Sequence, residues 1–237
     1  MKKILIILVS ALLFTGCTSA PAQKTDEELK AEGWVKDPEN NGYVLESEIP
    51  AGSIDFTLPV ARDTTKTYKP GKDEPEVPCT EKSYSSGCSS VNVDNFIEFA
   101  NVDDAYYIDV RDYNDYAQKH LKNFEVIPYF GLIFSKEAGG NHLFYGDSKA
   151  PTANYEESEI ILNALFPKDK TLFIMCQSGA RVVWLMEILE AHGYDMSKIY
   201  NIGGMGQYTK SEYRALTTNT SEIIIDAKYN FEGLTKK

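Results

Sequence analysis

From residue 91 onward, short apolar runs alternate with stretches of helical periodicity, and no other feature of this chain restricts its fold as much. Val91-Asn92-Val93 starts the series, and Asp94 is a good N-cap for a helix through Ala100. A strand over 106–110, a helix over 112–119 and a short strand at Val126-Ile127 follow. A helix over about 155–166 stops before Pro167, and Leu172-Phe173-Ile174-Met175 reads as a buried strand. Val182, Leu185, Ile188 and Leu189 then recur at helical spacing, with Gly193 as the stop. Strands alternating with helices make βαβ units, which bury a parallel sheet under helices. Catalytic groups in such sheets sit at the carboxyl ends of strands, where Asp109, Arg111 and Cys176 all fall.

The loop Cys176-Gln177-Ser178-Gly179-Ala180-Arg181 joins the last of these strands to its helix. At that junction backbone N–H groups converge and the helix dipole favours negative charge, so the site stabilises an anionic thiolate. Gly179 lets the loop curl, and Arg181 adds a fork-shaped cation suited to an oxyanion. The alternative is a structural cysteine packed as a small hydrophobe. That alternative explains neither the Gln-Ser-Gly sequence nor the arginine.

Cys-x-x-Gly-x-Arg after an apolar strand resembles the active-site loop of the rhodanese-like sulfurtransferases. Three further segments agree in order. Residues 106–111, Tyr-Tyr-Ile-Asp-Val-Arg, resemble the family's strand ending in Asp-x-Arg. Residues 115–121 resemble its acidic-aromatic-x-x-x-Gly-His-Ile segment, although Lys119 stands in place of the glycine before His120. Ile199-Tyr200-Asn201-Ile202-Gly203-Gly204 resembles its last strand and Gly-Gly turn. The usual Gly-Ala-x-x-Ile/Val-Pro is blurred into residues 123–128, and residues 129–154 form a long insertion rich in Gly and aromatics. Such an insertion is either a lid or wall over the loop or a surface excursion. The resemblance implies an α/β rhodanese-like fold over 90–215, a central parallel sheet with helices on both faces, preceded by an N-terminal extension.

Met1-Lys2-Lys3, an apolar run from Ile4 to Phe14 and a small-residue site before Cys17 read as a secretory signal. Cysteine directly after Leu13-Phe14-Thr15-Gly16 resembles the bacterial lipoprotein lipobox, which implies removal of 1–16 and acyl chains, palmitate among them, on Cys17. Ordinary secretion with a free Cys17 is the rival. By this reading the protein is extracytoplasmic and lipid-anchored to a bacterial membrane. Losing Lys2 and Lys3 leaves 22 basic against 35 acidic side chains, a net of −13, which argues against nucleic acid and against polybasic attraction to anionic lipid. Residues 17–89 then divide into a polar tether and an extension with short strands at Tyr43-Val44-Leu45 and Ile54–Leu58, too little for an independent core. Residues 61–90 read as loop, and the tail over 216–237 offers an edge strand at 221–226, beside 54–58.

Cys79 and Cys88 remain as a spaced pair. Outside the cytoplasm they read as a disulfide; the alternative is a metal site, but His120, His142 and His192 form no metal-spaced cluster with them. No metal or cofactor is expected.

By the resemblance, Cys176 attacks the outer sulfur of a small anionic donor such as thiosulfate and passes that sulfur to a thiol or cyanide. Gln177, Ser178, Gly179, Ala180 and Arg181 hold the persulfide and the departing oxyanion. Because the overall field repels anions, capture must be local. Asp109 and Arg111 are supporting participants or a structural pair, with Asp115 a further partner for Arg111, and His120 is read as structural. Three rivals stand beside this. Phosphatases and arsenate reductases also use Cys-x-n-Arg loops, but usually with five intervening residues, and this loop has four. A non-catalytic binding module on the same scaffold commonly lacks the cysteine. A thiol redox protein would use Cys79 or Cys88 to resolve an oxidised Cys176.

Overall fold

The computed structural model describes residues 25–32, 34–36, 43–45, 58–71, 73–219 and 223–237. The expectations placed on Cys17, on Ile54–Thr57 and on Ser221-Glu222 lie outside these residues. The chain divides into two units between Asp55 and Phe56. In the first, α1 (Asp26–Ala31) starts with a capping box. Thr25 Oγ1 accepts the Glu28 N–H, and the Thr25 N–H donates back to the Glu28 carboxylate at 2.8 Å. β1 (Trp34–Lys36) pairs antiparallel with β2 (Tyr43–Leu45).

The second unit begins with an arm of mostly irregular backbone. Its β3 (Thr67–Tyr68) and β4 (Val77–Pro78) form a two-residue ladder, and the Cys79–Cys88 disulfide closes the loop that follows. Arg62 is buried and donates to the carbonyls of Ala61, Met196 and Ile199, the last at 2.7 Å, while its guanidinium lies over the Tyr84 ring. Burial lowers its pKa, and these carbonyls partner its two Nη groups, while Nε is buried without a hydrogen-bond partner.

The remaining elements are β5 (Ala105–Asp109), α2 (Tyr113–Gln118), β6 (Lys119–Leu121), β7 (Glu125–Val126), β8 (Phe134–Ser135), β9 (Phe144–Asp147), β10 (Ala150–Ala153), α3 (Ser158–Leu165), β11 (Thr171–Cys176), α4 (Ala180–Ala191), β12 (Ile199–Gly204) and β13 (Thr217–Asn219). The central sheet runs β12-β11-β5-β7, with every neighbouring pair parallel. Side chains of β11 point alternately to two cores, as the period of a strand requires. Leu172, Ile174 and Cys176 join Leu162 of α3 and Val182, Leu185, Ile188 and Leu189 of α4. Phe173 and Met175 face the other way, against Phe96, Leu121, Phe124 and Tyr200, with Tyr116 of α2 packed beside them. Tyr107 and Tyr200 stack on Phe173 from neighbouring strands at 5.2 and 5.0 Å. Such pairs each contribute about 0.5–1.5 kcal/mol beyond area burial.

Three local expectations are corrected. Residues 91–93 form a bend and not a strand, and Asp94 caps no α-helix; a single 3₁₀ turn, Phe96–Phe99, stands there. Side chains capture the backbone first. Asn92 Oδ1 accepts the Asp94 N–H, Asn95 Oδ1 accepts the Asn92 N–H, and Asn95 Nδ2 donates to Ser90 O. The helix expected from 155 starts at Ser158, whose hydroxyl accepts the Tyr155 N–H and donates to Leu143 O. In the tail, residues 223–226 are irregular and exposed. Residues 217–219 instead supply the added strand, antiparallel to β6, while the Ile225 N–H donates to the Asn114 side chain.

Residues 129–154 are ordered into a π-helical turn, Tyr129–Ile133, and the sheet β10-β9-β8. The last residues of the chain cover it. Phe231 stacks on Tyr155, and the Tyr229 ring lies where a Cβ on Gly131 would come within 2.4 Å of it. Among the described residues no helix is long and apolar enough to cross a membrane.

Candidate active site

Cys176 ends β11 and α4 starts four residues later, so the intervening loop must reverse direction in very little chain. Gly179 makes that possible with φ +92°, a left-handed conformation that costs a side-chain-bearing residue energy. Its N–H turns back onto Cys176 Sγ at 3.1 Å. Cys176 itself is 1% exposed, while Gln177 and Ser178 are exposed.

A second turn braces the first. Where β11 passes β12 the register shifts between Ile174 and Cys176, which brings Cys176 opposite Gly204. A Cβ on Gly204 would lie 2.2 Å from backbone atoms of Gln177 and Ser178, so the two backbones can meet there only because this residue is glycine. The Gly206 N–H donates to Gln177 O at 3.2 Å. Asn201, buried within β12, donates from Nδ2 to Gly179 O at 3.0 Å and to Tyr84 O at 2.8 Å. Its Oδ1 accepts the Gly203 N–H at 3.0 Å. One amide thus links the cysteine loop, the Gly-Gly turn and the disulfide-closed loop. Ser86, inside that closed loop, has its hydroxyl 3.2 Å from the Cβ position of Gly179.

Arg181 occupies the first turn of α4, half-buried, with its guanidinium carbon 5.2 Å from the centroid of the Phe130 ring. Its Nη1 is buried and has no hydrogen-bond partner, and among the described residues Arg181 forms no ion pair. The insertion therefore supplies a wall to the site. His142 Nε2 holds that wall through Phe130 O at 2.8 Å. Trp184, one turn along α4 from Arg181, packs within 6.2 Å of Phe130 and 6.3 Å of Tyr129.

Asp109 and Arg111 are brought together, not to the cysteine loop. Arg111 grips Asp109 with Nε at 3.0 Å from both carboxylate oxygens and Nη2 at 2.7 Å, and both residues are buried. Its other donors reach Asp115 O and Lys119 O, so Asp115 contributes a carbonyl and not its carboxylate. Burial pushes the Asp109 carboxyl up, and the hydrogen bonds from Arg111 oppose it. This pair locks the β5–α2 connection. His120 stacks on Tyr116 at 4.0 Å and bonds Tyr116 O through Nδ1, a packing role. Cys79 and Cys88 are bonded to each other, leaving Cys176 as the free thiol among the described residues. No group of metal-ligating side chains is found among those residues either.

Sequence reasoning missed Asn201 as a brace and Phe130 and Trp184 as neighbours of Arg181. Only Asn201 carried a signal, as a lone amide in an otherwise apolar strand.

A cysteine at the carboxyl end of a central parallel strand, in a short loop closed by glycine and followed by arginine, defines a thiol site of the rhodanese type. Residues 92–211 match the rhodanese-like domain family, half of the chain, and the chain belongs to that family. The chain is also similar to the rhodanese-like domain of an Anabaena sp. protein determined by solution NMR. Identity is 12% over 60% of this chain and 86% of that one, with a TM-score of 0.33. No curated protein matches it.

Proposed function

We propose that this protein is an extracytoplasmic sulfurtransferase, anchored through acylated Cys17, that carries sulfane sulfur on Cys176. The observation that carries the reading is the buried, unpartnered Nη1 of Arg181, next to a loop whose own N–H already addresses the cysteine sulfur. An unpartnered buried cation nitrogen is costly unless an anion completes it.

In the first step the Cys176 thiolate attacks the outer sulfur of thiosulfate. The new S–S bond forms as the S–SO₃ bond breaks, and sulfite leaves with the electron pair, its charge met by Arg181. In the second step a thiol or cyanide attacks the outer sulfur of the persulfide, and Cys176 departs as thiolate. Atoms and charge balance without an external oxidant.

The redox rival needs a resolving thiol, and both described candidates are already joined. The phosphatase rival needs a loop one residue longer by the usual count. One observation favours a non-catalytic binding module instead: Cys176 is 1% exposed. Intact-mass measurement after thiosulfate treatment separates these readings. The expected outcome is one added sulfur atom on wild type and none on Cys176→Ser. No added sulfur on wild type from any donor would leave the binding module as the better reading. Hydrolysis of an aryl phosphate through Cys176 faster than any sulfur transfer would mean phosphatase chemistry. The anchor has its own test: wild type should remain with washed membranes and Cys17→Ala should not, and equal retention of both would remove lipidation.

A further inference from the structure

The disulfide-closed loop reaches the cysteine loop through one side chain. Cys79 and Cys88 are bonded to each other, and both are buried, at 4% and 0% exposure. Their backbones tie the loop to the segment before it: the Cys79 N–H donates to Lys66 O at 2.9 Å, and Cys88 O accepts the Asp63 N–H at 2.8 Å. The bond holds the two ends of residues 80–87 together, and the middle of that loop lies on α4 and on the Cys176 loop. Lys82 pairs with Glu190 of α4 at 3.0 Å, and Tyr84 joins the core that holds Cys176, Val182 and Leu185. Asn201 Nδ2 donates to Tyr84 O at 2.8 Å and to Gly179 O at 3.0 Å. The same Gly179 turns its N–H onto Cys176 Sγ at 3.1 Å. Ser86 fills the space beside this turn, its hydroxyl 3.2 Å from the Cβ position of Gly179 and its Cβ 3.8 Å from that of Gly203. Without the S–S bond the ends of the loop can part, and Asn201 loses the carbonyl that occupies half of its amide donors.

We propose that the Cys79–Cys88 disulfide positions the Cys176 loop through Tyr84 O and Asn201, so that full sulfur loading requires these two cysteines to be oxidised. The consequence for loading rests on the sulfurtransferase reading; the coupling between the two loops does not. In the oxidation the two thiols give two electrons and two protons to a disulfide oxidant, which leaves as two thiols. One S–S bond forms as another breaks. A compartment outside the cytoplasm supplies oxidants of that class. Because both sulfurs are buried in the folded chain, the bond is made before the loop docks and is not cycled afterwards. It is a maturation step. Its loss is a loss of local stability, felt at the cysteine loop before the fold as a whole.

The test is a double-mutant cycle on the full chain, pairing Cys79→Ser/Cys88→Ser with Asn201→Ala. Two rates are read well below the melting temperature of each variant. One is sulfur loading onto Cys176 from thiosulfate, by intact mass; the other is alkylation of Cys176 by iodoacetamide, by peptide mapping. Each change alone should slow loading about tenfold and speed alkylation about tenfold, the size of one hydrogen bond lost at the loop. The combined variant should do little more than either. Wild-type rates in a folded Cys79→Ser/Cys88→Ser chain, or effects that multiply in the combined variant, overturn the proposal. Should that chain fail to fold, wild type reduced in denaturant and refolded under reductant makes the alkylation comparison without a substitution. A chain that folds in neither form also overturns it, because the bond then serves the whole fold. If wild type takes sulfur from no donor, the sulfurtransferase reading falls and the alkylation cycle alone decides the coupling.

Discussion

The two sides of the Cys176 loop are built on opposite terms. Toward β12 and the disulfide-closed loop, Asn201 engages three backbone groups and Gly206 takes Gln177 O. Toward the insertion, a cation nitrogen is left without a partner and two aromatic rings stay open. Satisfied buried groups hold a geometry, whereas an unsatisfied one waits for a ligand. Damage to the first side should therefore appear as lost stability, and damage to the second as lost turnover on an intact fold.

Cys176→Ser should abolish sulfur transfer, by at least about 10³-fold, because the hydroxyl is a far weaker nucleophile at neutral pH. Its melting temperature should stay within a few degrees of wild type, so an unfolded variant would count against the loop as described. Gly204→Ala strikes the braced side hardest. Its Cβ meets backbone, which cannot rotate away, and the loss should be about 3 kcal/mol in denaturant unfolding. A wild-type midpoint for that variant would show that the two turns do not touch.

Asn201→Ala leaves two carbonyls and one N–H without their amide partner and should cost roughly 2–3 kcal/mol. Cys79→Ser with Cys88→Ser should cost about 2–3 kcal/mol by the loop-closure estimate, at the lower end if the reduced arm keeps its other contacts. Retained sulfur transfer in that double variant would show that the disulfide stabilises the arm without setting the loop. The smallest effect belongs to the open side. Arg181→Lys keeps the charge and loses the planar fork, so kcat/KM for the donor should fall about tenfold with stability unchanged. A fall in stability as large as that of Asn201→Ala would erase the distinction between the two sides.

Much of this contrast was hidden from inspection of the residues, for a physical reason. Periodicity reports how a segment meets a core in general, so the β11 strand and the α4 helix were legible from residues 172–175 and 182–189. It failed at 91–100, where asparagine side chains outcompete the backbone ladder over a few residues, and at 223–226, which are irregular and exposed. The residues themselves leave the role of the Asp109–Arg111 pair open, because only burial and the remaining donors of Arg111 decide it.

By itself the sequence determined the chemistry available: a cysteine in a Cys-x-x-Gly-x-Arg loop between strand and helix, with the short range that such local signals have. Tertiary structure decided what surrounds it. Tyr84 and Asn201 are 117 residues apart, and Phe130 reaches Arg181 from a separate insertion. Contacts of that separation depend on how the sheet orders its strands and how each core fills, and local propensity carries no record of either.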